Sequence, residues 1–563
     1  MVIQRLRSGL LPVTLVLAFV VAVTLAWAAS AESKVSKPVP TDRIADVQLL
    51  GVNDFHGNLE PPRSLGGRTV GGAAYLDTYL DNYESANPER TIRVHAGDTV
   101  GASPLISSYF HDEPTIYATN EMEFDVGTLG NHEFDEGGQE MLRLINGGQR
   151  NDGFQFKDGV DGEPVNTSDP DFSGADYPYI AANTVYKSSG ETVLPPYQIV
   201  KRDGVRVGFI GVTTLETPNI VAPDAVAPFN YLDISDTVNK YARQLQNQGV
   251  ETIVVLAHAG GFQTSTTQAV GEILDETAQM SDAVDVVVAG HSHSLLNNRV
   301  GNKLVVEAFS VGTAFDAVKM KIDRKTGDVT SSSADIVTTF DDAVQPDPRT
   351  AQLVADYKAR ITPIAERVVG TAQTDISRTA NAAGESALGD LIADGQREFA
   401  GADFAFMNPG GIRADIAAGP VTYGELFSVQ PFDNQVVKMQ LTGDQIFRLL
   451  EQQFQVDANG NPRTRILLVS GLKFSYNSTN PAGQRITSVT LPDGTPIDRS
   501  TTYSVAANSF IATGGDGFTV FKEGTNPQTL GGDLDALEEH VSSLSQPFSA
   551  PDPATEQRIT QQG

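Results

Sequence analysis

The sequence predicts an α/β layered domain followed by an α+β C-terminal domain. Three observations carry this. From about Val47, short apolar runs alternate with helical or polar segments: VQLLGVN, TIRVHAG, VRVGFIGV, ETIVVLAHAG and DVVVAGHSH. Continuous runs of this length and β-branched content read as strands buried on both faces. Near Val344 the pattern shifts to QPDPRTAQLVADYKARITPIAERVVG, two prolines and then a helical segment suited to a connector. Beyond it, strand-like KMQLTG, RILLVSGLKFSY and TYSVAANSF mix with helical LGDLIADGQREF and DQIFRLLEQQF, without regular βα alternation.

A chain of 563 residues exceeds one compact core. The expected division is an export signal over 1–31, a first domain over 45–342 and a linker helix over 343–370. A second domain over 371–545 and a loose, polar, Pro-containing tail over 546–563 follow. The signal rests on Arg5 and Arg7, then the apolar run LLPVTLVLAFVVAVTLAWA, then small Ala29-Ser30-Ala31. Retention as an anchor is the alternative; small residues directly after the run favour cleavage. The protein is then secreted or held in the cell envelope, with no stable membrane span after cleavage. The segment from about Gly147 to Tyr177, rich in Gly, Asp and Pro, reads as a solvated surface excursion.

Composition excludes several classes. The chain has no cysteine, so thiolate metal sites and disulfides are ruled out. Loss of residues 1–31 removes two arginines and no acid, moving the net charge from −30 to about −32. Such a surface disfavours nucleic-acid polymers and anionic lipid. An anionic substrate needs a local positive site, which metal ions would supply.

The chemistry gathers where the apolar runs end. VQLLGVN leads into Asp54 and His56, TIRVHAG into Asp98, and DVGTLG into Asn131. TIVVLA ends at His258, and DVVVAG at His291 and His293. Read as extended chain, Asp54 with His56 and His291 with His293 each share a face. One such ending is an ordinary polar turn after a strand. Five together, using four of the eight histidines, point to a site at the carboxyl ends of strands. His95, His111 and His540 lie outside this pattern and read as packing or surface residues. Two Asp, four His and one Asn exceed one ion's needs and fit two divalent ions sharing a carboxylate. Imidazole with carboxylate suits Zn or Mn, with Co or Fe also acceptable. A pair about 3.5–4 Å apart is a device for displacement at phosphorus.

The order DFHGN, AGDTVGASP, GNHEFD, AHAG and GHSH resembles the calcineurin-like metallophosphoesterases. GESALGDLIAD, NPGGIRADI, SVQPFDNQ and SFIATGGDGF narrow the resemblance to the exported bacterial 5′-nucleotidase family, which includes UDP-sugar hydrolases and 2′,3′-cyclic-nucleotide phosphodiesterases. The resemblance implies a β-sandwich flanked by helices, then a C-terminal substrate-binding domain. It assigns one metal to Asp54, His56, Asp98 and His293 and the second to Asp98, Asn131, His258 and His291. It makes His132 a catalytic residue facing the phosphate, with Asp135 holding its imidazole. It places Asn408, Gly411, Arg413, Phe432, Phe510 and Asp516 at the substrate: Arg413 on phosphate, the two Phe rings on the base, Asp516 on the ribose hydroxyls.

One departure concerns phosphate. Where several relatives carry an arginine three residues before Glu385, this chain has Ala382. The implied activity is removal of the 5′-phosphate of a nucleoside monophosphate. Hydrolysis of a UDP-sugar or a 2′,3′-cyclic nucleotide is the alternative within enzymes. The non-enzyme alternative is an exported nucleotide-binding or adhesion protein with a vestigial site. The partner is a small-molecule nucleotide, and oligomeric state leaves no signature in the sequence.

Overall fold

Alternation inside the apolar runs decides the architecture of the first region. The computed structural model describes residues 43–562 except 151–155, 158–163, 166, 266–267, 433 and 457–461. Strands β1 (Ile44–Val52), β2 (Thr91–His95), β3 (Val126–Thr128) and β4 (Tyr179–Ile180) run parallel in one sheet. A second sheet holds β5 (Tyr197–Arg202), β6 (Val205–Thr213), β7 (Thr252–His258), β8 (Val286–Ala289), β9 (Leu295–Val300) and β10 (Lys303–Ala308). With β11 (Ala314–Asp323) and β12 (Val329–Thr338), the orders are β12-β11-β1-β2-β3-β4 and β5-β6-β7-β8-β10-β9.

Val47 and Leu49, Ile92 and Val94, Val254 and Leu256, and Val286 and Val288 pack in one core shared by the two sheets. The residues between them turn outward. Leu50 and Val52 meet Leu76 and Leu80 of α1 (Ala73–Ser85). Ile253, Val255 and Val287 meet Val238 and Leu245 of α2 (Ile234–Asn247). The period-2 pattern thus splits each apolar run between a sheet–sheet core and a sheet–helix core. The result is a β-sandwich flanked by helices, in which β1, β2 and β3 of one sheet and β7 and β8 of the other end near one another.

The segment after Val344 is helical over α3 (Pro348–Ala365). Asp347 caps it by accepting from the backbone N–H groups of Arg349 and Thr350 at 2.9 and 3.1 Å, and Pro348 occupies the first turn. Thr350 Oγ1 donates to Asp77 Oδ2 of α1 at 2.5 Å. Tyr357 and Ile361 of α3, with Tyr423 and Phe427 beyond it, pack into the core of the first region. Ala45–Gly563 accordingly form one compact unit.

The C-terminal region builds on β13 (Phe404–Met407), β14 (Gln435–Thr442), β15 (Leu468–Ser470), β16 (Thr502–Asn508) and β17 (Thr525–Gly532), in the order β15-β13-β16-β14-β17. Leu388 and Leu391 of α4 (Ala387–Ala400) and Leu537 of α5 (Asp533–Ser543) join Phe404, Phe406, Leu441 and Val505 in its core.

Two expectations need correction, and one falls outside view. The end of the chain is not a loose tail: Ile559–Gln561 pair in parallel with Lys473–Tyr476, and Phe548 and Ile559 are buried. Arg558 also forms a two-pronged contact with Asp394 at 2.8 Å, and Glu385 accepts from the N–H groups of Arg558 and Ile559 at 2.6 and 3.2 Å. Polar, Pro-rich composition hid these few anchors. The described end of the excursion is also docked rather than solvated, with Thr167 and Phe172 buried. The expected signal over 1–31 lies outside the described residues; among these, no helix is long and apolar enough to cross a membrane.

Burial pushes the Asp77 carboxyl up to about 7, outweighing the Thr350 hydrogen bond and Arg93. A carboxyl raised in the fold contributes stability below its unfolded value, and that stability is lost as pH rises through about 7. Asp77→Asn removes the titration while keeping an acceptor for Thr350. It is expected to raise Tm more at pH 8 than at pH 5 in calorimetry; equal shifts at both would show that Asp77 does not take up a proton on folding.

Candidate functional site

Five strands of the two sheets end at one place. Asp54 and His56 follow β1, Asp98 follows β2 and Asn131 follows β3; His258 ends β7, and His291 and His293 follow β8. The expectation that extended geometry aligns the i, i+2 pairs is incorrect. Asp54 (φ 50°), His56 (48°), Asp98 (47°), His291 (78°) and His293 (53°) all adopt left-handed backbone. Each costs on the order of 1 kcal/mol outside glycine, and such strain clusters where a site demands it. The turns fold the side chains inward immediately beyond the strands. Gly130 allows the closest approach, since a Cβ there would overlap Asp98 Oδ1.

The seven groups converge. His293 Nε2 is 3.3 Å from Asp54 Oδ1 and 3.1 Å from His56 Nε2. His258 Nε2 is 3.0 Å from Asp98 Oδ2 and 3.2 Å from Asn131 Oδ1. His56 Nε2 is 3.9 Å from Asp54 and 3.8 Å from Asp98. Donor atoms of Asp54, His56 and His293 lie within 4.8 Å of one another, as do those of Asp98, His258 and His291. Asp98 sits between these groups. His132 joins a third such set with His56 and Asp98. It differs from the others in that Asp135 Oδ2 already holds its Nδ1 at 2.7 Å.

This donor set fits cations. His56 Nδ1 faces the Gly101 carbonyl and His258 Nδ1 the Ala96 carbonyl, both at 2.8 Å, so each ring donates outward and turns Nε2 inward. Burial pulls His56 down to about 3 and His291 to about 4, leaving both neutral with lone pairs to offer. Burial also opposes charge on His258, but Asp98 and Asp54 overcome it and hold the ring up at about 10. A proton there does in part what a cation would do: it offsets charge on the buried Asp98 and Asp54 carboxylates. Burial raises Asp98, but His258, His132 and His56 outweigh it and hold the carboxyl well below its ordinary value.

His132 stands at the open side. Burial lowers it, but Asp135 and Asp98 prevail and lift it to about 9. Phe432 stacks parallel to its ring, centroids 6.0 Å apart and planes 11° apart, and Arg413 lies 5.6 Å from the Phe432 centroid. The C-terminal region therefore reaches the open side of the cluster. Asn408 donates to Asp516 Oδ2 at 2.9 Å, and Gly411 packs so tightly that a Cβ would meet Met407 Cε at 2.6 Å. Phe510 lies over Gly515, where a Cβ would fall 2.5 Å from its ring, next to Asp516.

Comparison with known proteins agrees with this arrangement. Residues 47–295 match the calcineurin-like phosphoesterase family, and 368–523 match the 5′-nucleotidase C-terminal domain. A cell wall protein of Listeria monocytogenes is 36% identical over 537 residues, covering 88% of this chain and 67% of that protein. The chain belongs to the 5′-nucleotidase family. The endonuclease YhcR of Bacillus subtilis is 34% identical over 531 residues, 93% of this chain; the chain spans 42% of that protein's length. The crystal structure of a 5′-nucleotidase precursor from Thermus thermophilus superposes with a TM-score of 0.73 at 28% identity, covering 92% of this chain and 99% of that one.

Within this 5′-nucleotidase-family fold, three supporting residues escape a reading of strand ends. Glu133 accepts from the backbone N–H of Thr99 at 2.8 Å, Asp98 at 3.0 Å and Gly130 at 2.5 Å, so one carboxylate ties the loop after β2 to the loop after β3. Glu307 accepts from Ser292 Oγ at 2.8 Å and the Ser294 N–H at 3.0 Å, fixing the turn that carries His291 and His293. Arg378 donates to the Ile412 carbonyl at 3.1 Å, which sets its charge against Arg413. The GNHE spacing held the only signal for Glu133.

Glu133→Gln presents one acceptor and an NH2 group to three N–H donors. The expected outcome is a loss of bound divalent metal per folded chain, read by elemental analysis after metal loading and gel filtration. Wild-type metal content in that variant would show that Glu133 does not organise the cluster.

Proposed function

We propose that this protein is a two-metal phosphohydrolase that removes the 5′-phosphate of nucleoside monophosphates. The observation that carries the reading is Asp98 lying between two His/Asp groups, with His132 and Arg413 at the exposed side. Asp54, His56, Asp98 and His293 would hold one divalent ion, and Asp98, Asn131, His258 and His291 the other. Zn or Mn suits these donors, with Co or Fe acceptable. When bound, such a pair supplies positive charge to phosphoryl oxygens and lowers the pKa of an attacking water.

The chain's own residues do the rest. Arg413 and Arg378 bring two fixed positive charges to the substrate phosphate, which supports Arg378 in the role left vacant at Ala382. His132, oriented at Nδ1 by Asp135, keeps a proton and directs it to charge developing on the phosphoryl group or the leaving ribose oxygen. Phe432 covers His132 and keeps water from its face. Phe432 and Phe510 would hold the base, and Asp516 the ribose.

Hydrolysis of a UDP-sugar or a 2′,3′-cyclic nucleotide is the second reading; relatives named as a trifunctional nucleotide phosphoesterase of Bacillus subtilis and an apyrase of Tabanus yao support a range of nucleotide substrates in the family. Nucleic-acid polymer is disfavoured by a net charge of −30. The cell wall relative and the signal-like start support action outside the cell membrane.

A metal-supplemented panel of AMP, UDP-glucose, 2′,3′-cyclic AMP and an aryl diester is expected to give the highest kcat/KM on AMP. A diester as the best substrate would reject the assignment. His132→Ala should lower kcat on AMP by at least about a hundredfold with bound metal retained, the scale for a lost acid or charge-stabilising group. Unaltered turnover would remove His132 from the reaction.

A further inference from the structure

A second buried charge cluster lies in the C-terminal region, outside the metal groups. Arg465 Nη1 is 2.9 Å from Asp516 Oδ1, with their side chains 13% and 10% exposed. Asp516 itself is strained, at φ 54° between Gly515 and Gly517. Three polar contacts hold it in that strained state, one of them braced by a fourth. Asn408 donates to Oδ2 at 2.9 Å and is itself fixed by Asn508, whose Nδ2 donates to Asn408 Oδ1 at 2.9 Å. Gln455 Nε2 donates to the Asp516 carbonyl at 2.5 Å, and Arg465 completes the set. Two residues before Arg465, Arg463 crosses to Glu216 of the first region at 3.2 Å.

A stability role is a weak account of this arrangement. Desolvating a guanidinium and a carboxylate offsets most of their attraction, and an apolar pair of similar volume serves a core as well. The adjacent Ile466, Leu467 and Leu468 already anchor the segment in the apolar core. The contacts have a different consequence. An ionised carboxylate offers about four lone-pair sites. Asn408 takes one on Oδ2 and Arg465 one on Oδ1, so each oxygen keeps one acceptor site in a fixed direction. Two acceptors held side by side match the two O–H donors of a vicinal diol. Free rotation about the carboxylate would lose that match.

We infer that Arg465 is a specificity-determining positioning residue: it locks the Asp516 carboxylate in the orientation that reads both ribose hydroxyls, and so makes the enzyme prefer ribonucleotides to 2′-deoxyribonucleotides. This rests on the nucleotidase reading and deepens it. Arg465 acts through Asp516. Loss of Arg465 therefore shifts recognition of the sugar more than the chemistry at phosphorus.

The test compares AMP with 2′-deoxy-AMP in the metal-loaded full chain, for wild type and for Arg465→Ala, Arg465→Gln and Arg465→Lys. Wild type is expected to favour AMP in kcat/KM. Arg465→Ala and Arg465→Gln should raise KM for AMP about tenfold with kcat changed far less, the scale of one charge-assisted hydrogen bond. Their AMP to deoxy-AMP ratio should fall toward one. Arg465→Lys, which keeps the charge but loses the fork, should recover part of that ratio. A folded Arg465→Gln that keeps the wild-type ratio overturns the inference, as does an equal loss on both nucleotides. A wild type that turns over AMP without preferring it overturns the inference alone. A wild type that turns over no nucleoside monophosphate defeats the nucleotidase reading, and this inference falls with it.

Discussion

Two carboxylates, Asp54 and Asp98, are buried together at the seam of two sheets, and the rest of the site is arranged around that electrostatic problem. Buried anions at this spacing repel and lose solvation, so the fold must surround them with donors and cations. The structure supplies both. His291 donates its backbone N–H to Asp54 at 2.9 Å, Asn53 adds a side-chain N–H at 2.7 Å, and His132 donates its backbone N–H to Asp98 at 2.8 Å. Those contacts need the strand ends to turn sharply, which accounts for the left-handed backbone at five of the seven candidate ligands. A rigid sandwich can sustain such strain because neither sheet can relax without opening the core between them.

That constraint explains what could be read from the sequence. Asp54, Asp98, Asn131, His258 and His291 each follow a β-branched run, and parallel strands deliver their carboxyl ends to one side, so convergence was legible. The geometry that achieves it was not. Side-chain alternation paired Asp54 with His56 and His291 with His293, but left-handed turns, at φ 48° for His56 and 53° for His293, and not extended chain, orient them. Glu133 and Glu307 left little trace because they act on backbone N–H groups of distant loops, and no local pattern announces such a target. The end of the chain was misread for a related reason. Phe548, Arg558 and Ile559 anchor it singly, too sparsely for a periodic signal.

The phosphate side shows how an absence in sequence is filled in space. Ala382 leaves a position without charge, while Arg378, on the same loop, reaches the Ile412 carbonyl and sits against Arg413. Two guanidiniums of like charge repel, and burial together with Arg378 holds the Arg413 guanidinium below its ordinary value; this part of the chain is locally electropositive. Phe432 brings the same part of the chain to His132. Contacts between the two regions thus bring Phe432 and, beside it, Arg413 to the side of His132.

The metal groups and the Asp516 cluster follow one principle at two scales. In each, a non-glycine residue is forced into left-handed backbone and held there by hydrogen bonds that use part of its capacity. Each carboxylate thus keeps acceptor capacity that these contacts do not use. At Asp98, the His132 N–H and His258 take one site on each oxygen. At Asp516, Asn408 and Arg465 take one site on each oxygen. Orientation fixed before binding lowers the entropy lost on binding, and it allows discrimination between ligands that differ by one hydroxyl. The strain is tolerable because it is local and each cluster is backed by a sheet with a buried apolar core. A looser scaffold holding the same residues would satisfy the carboxylates by rotation, and the directional preference would be lost.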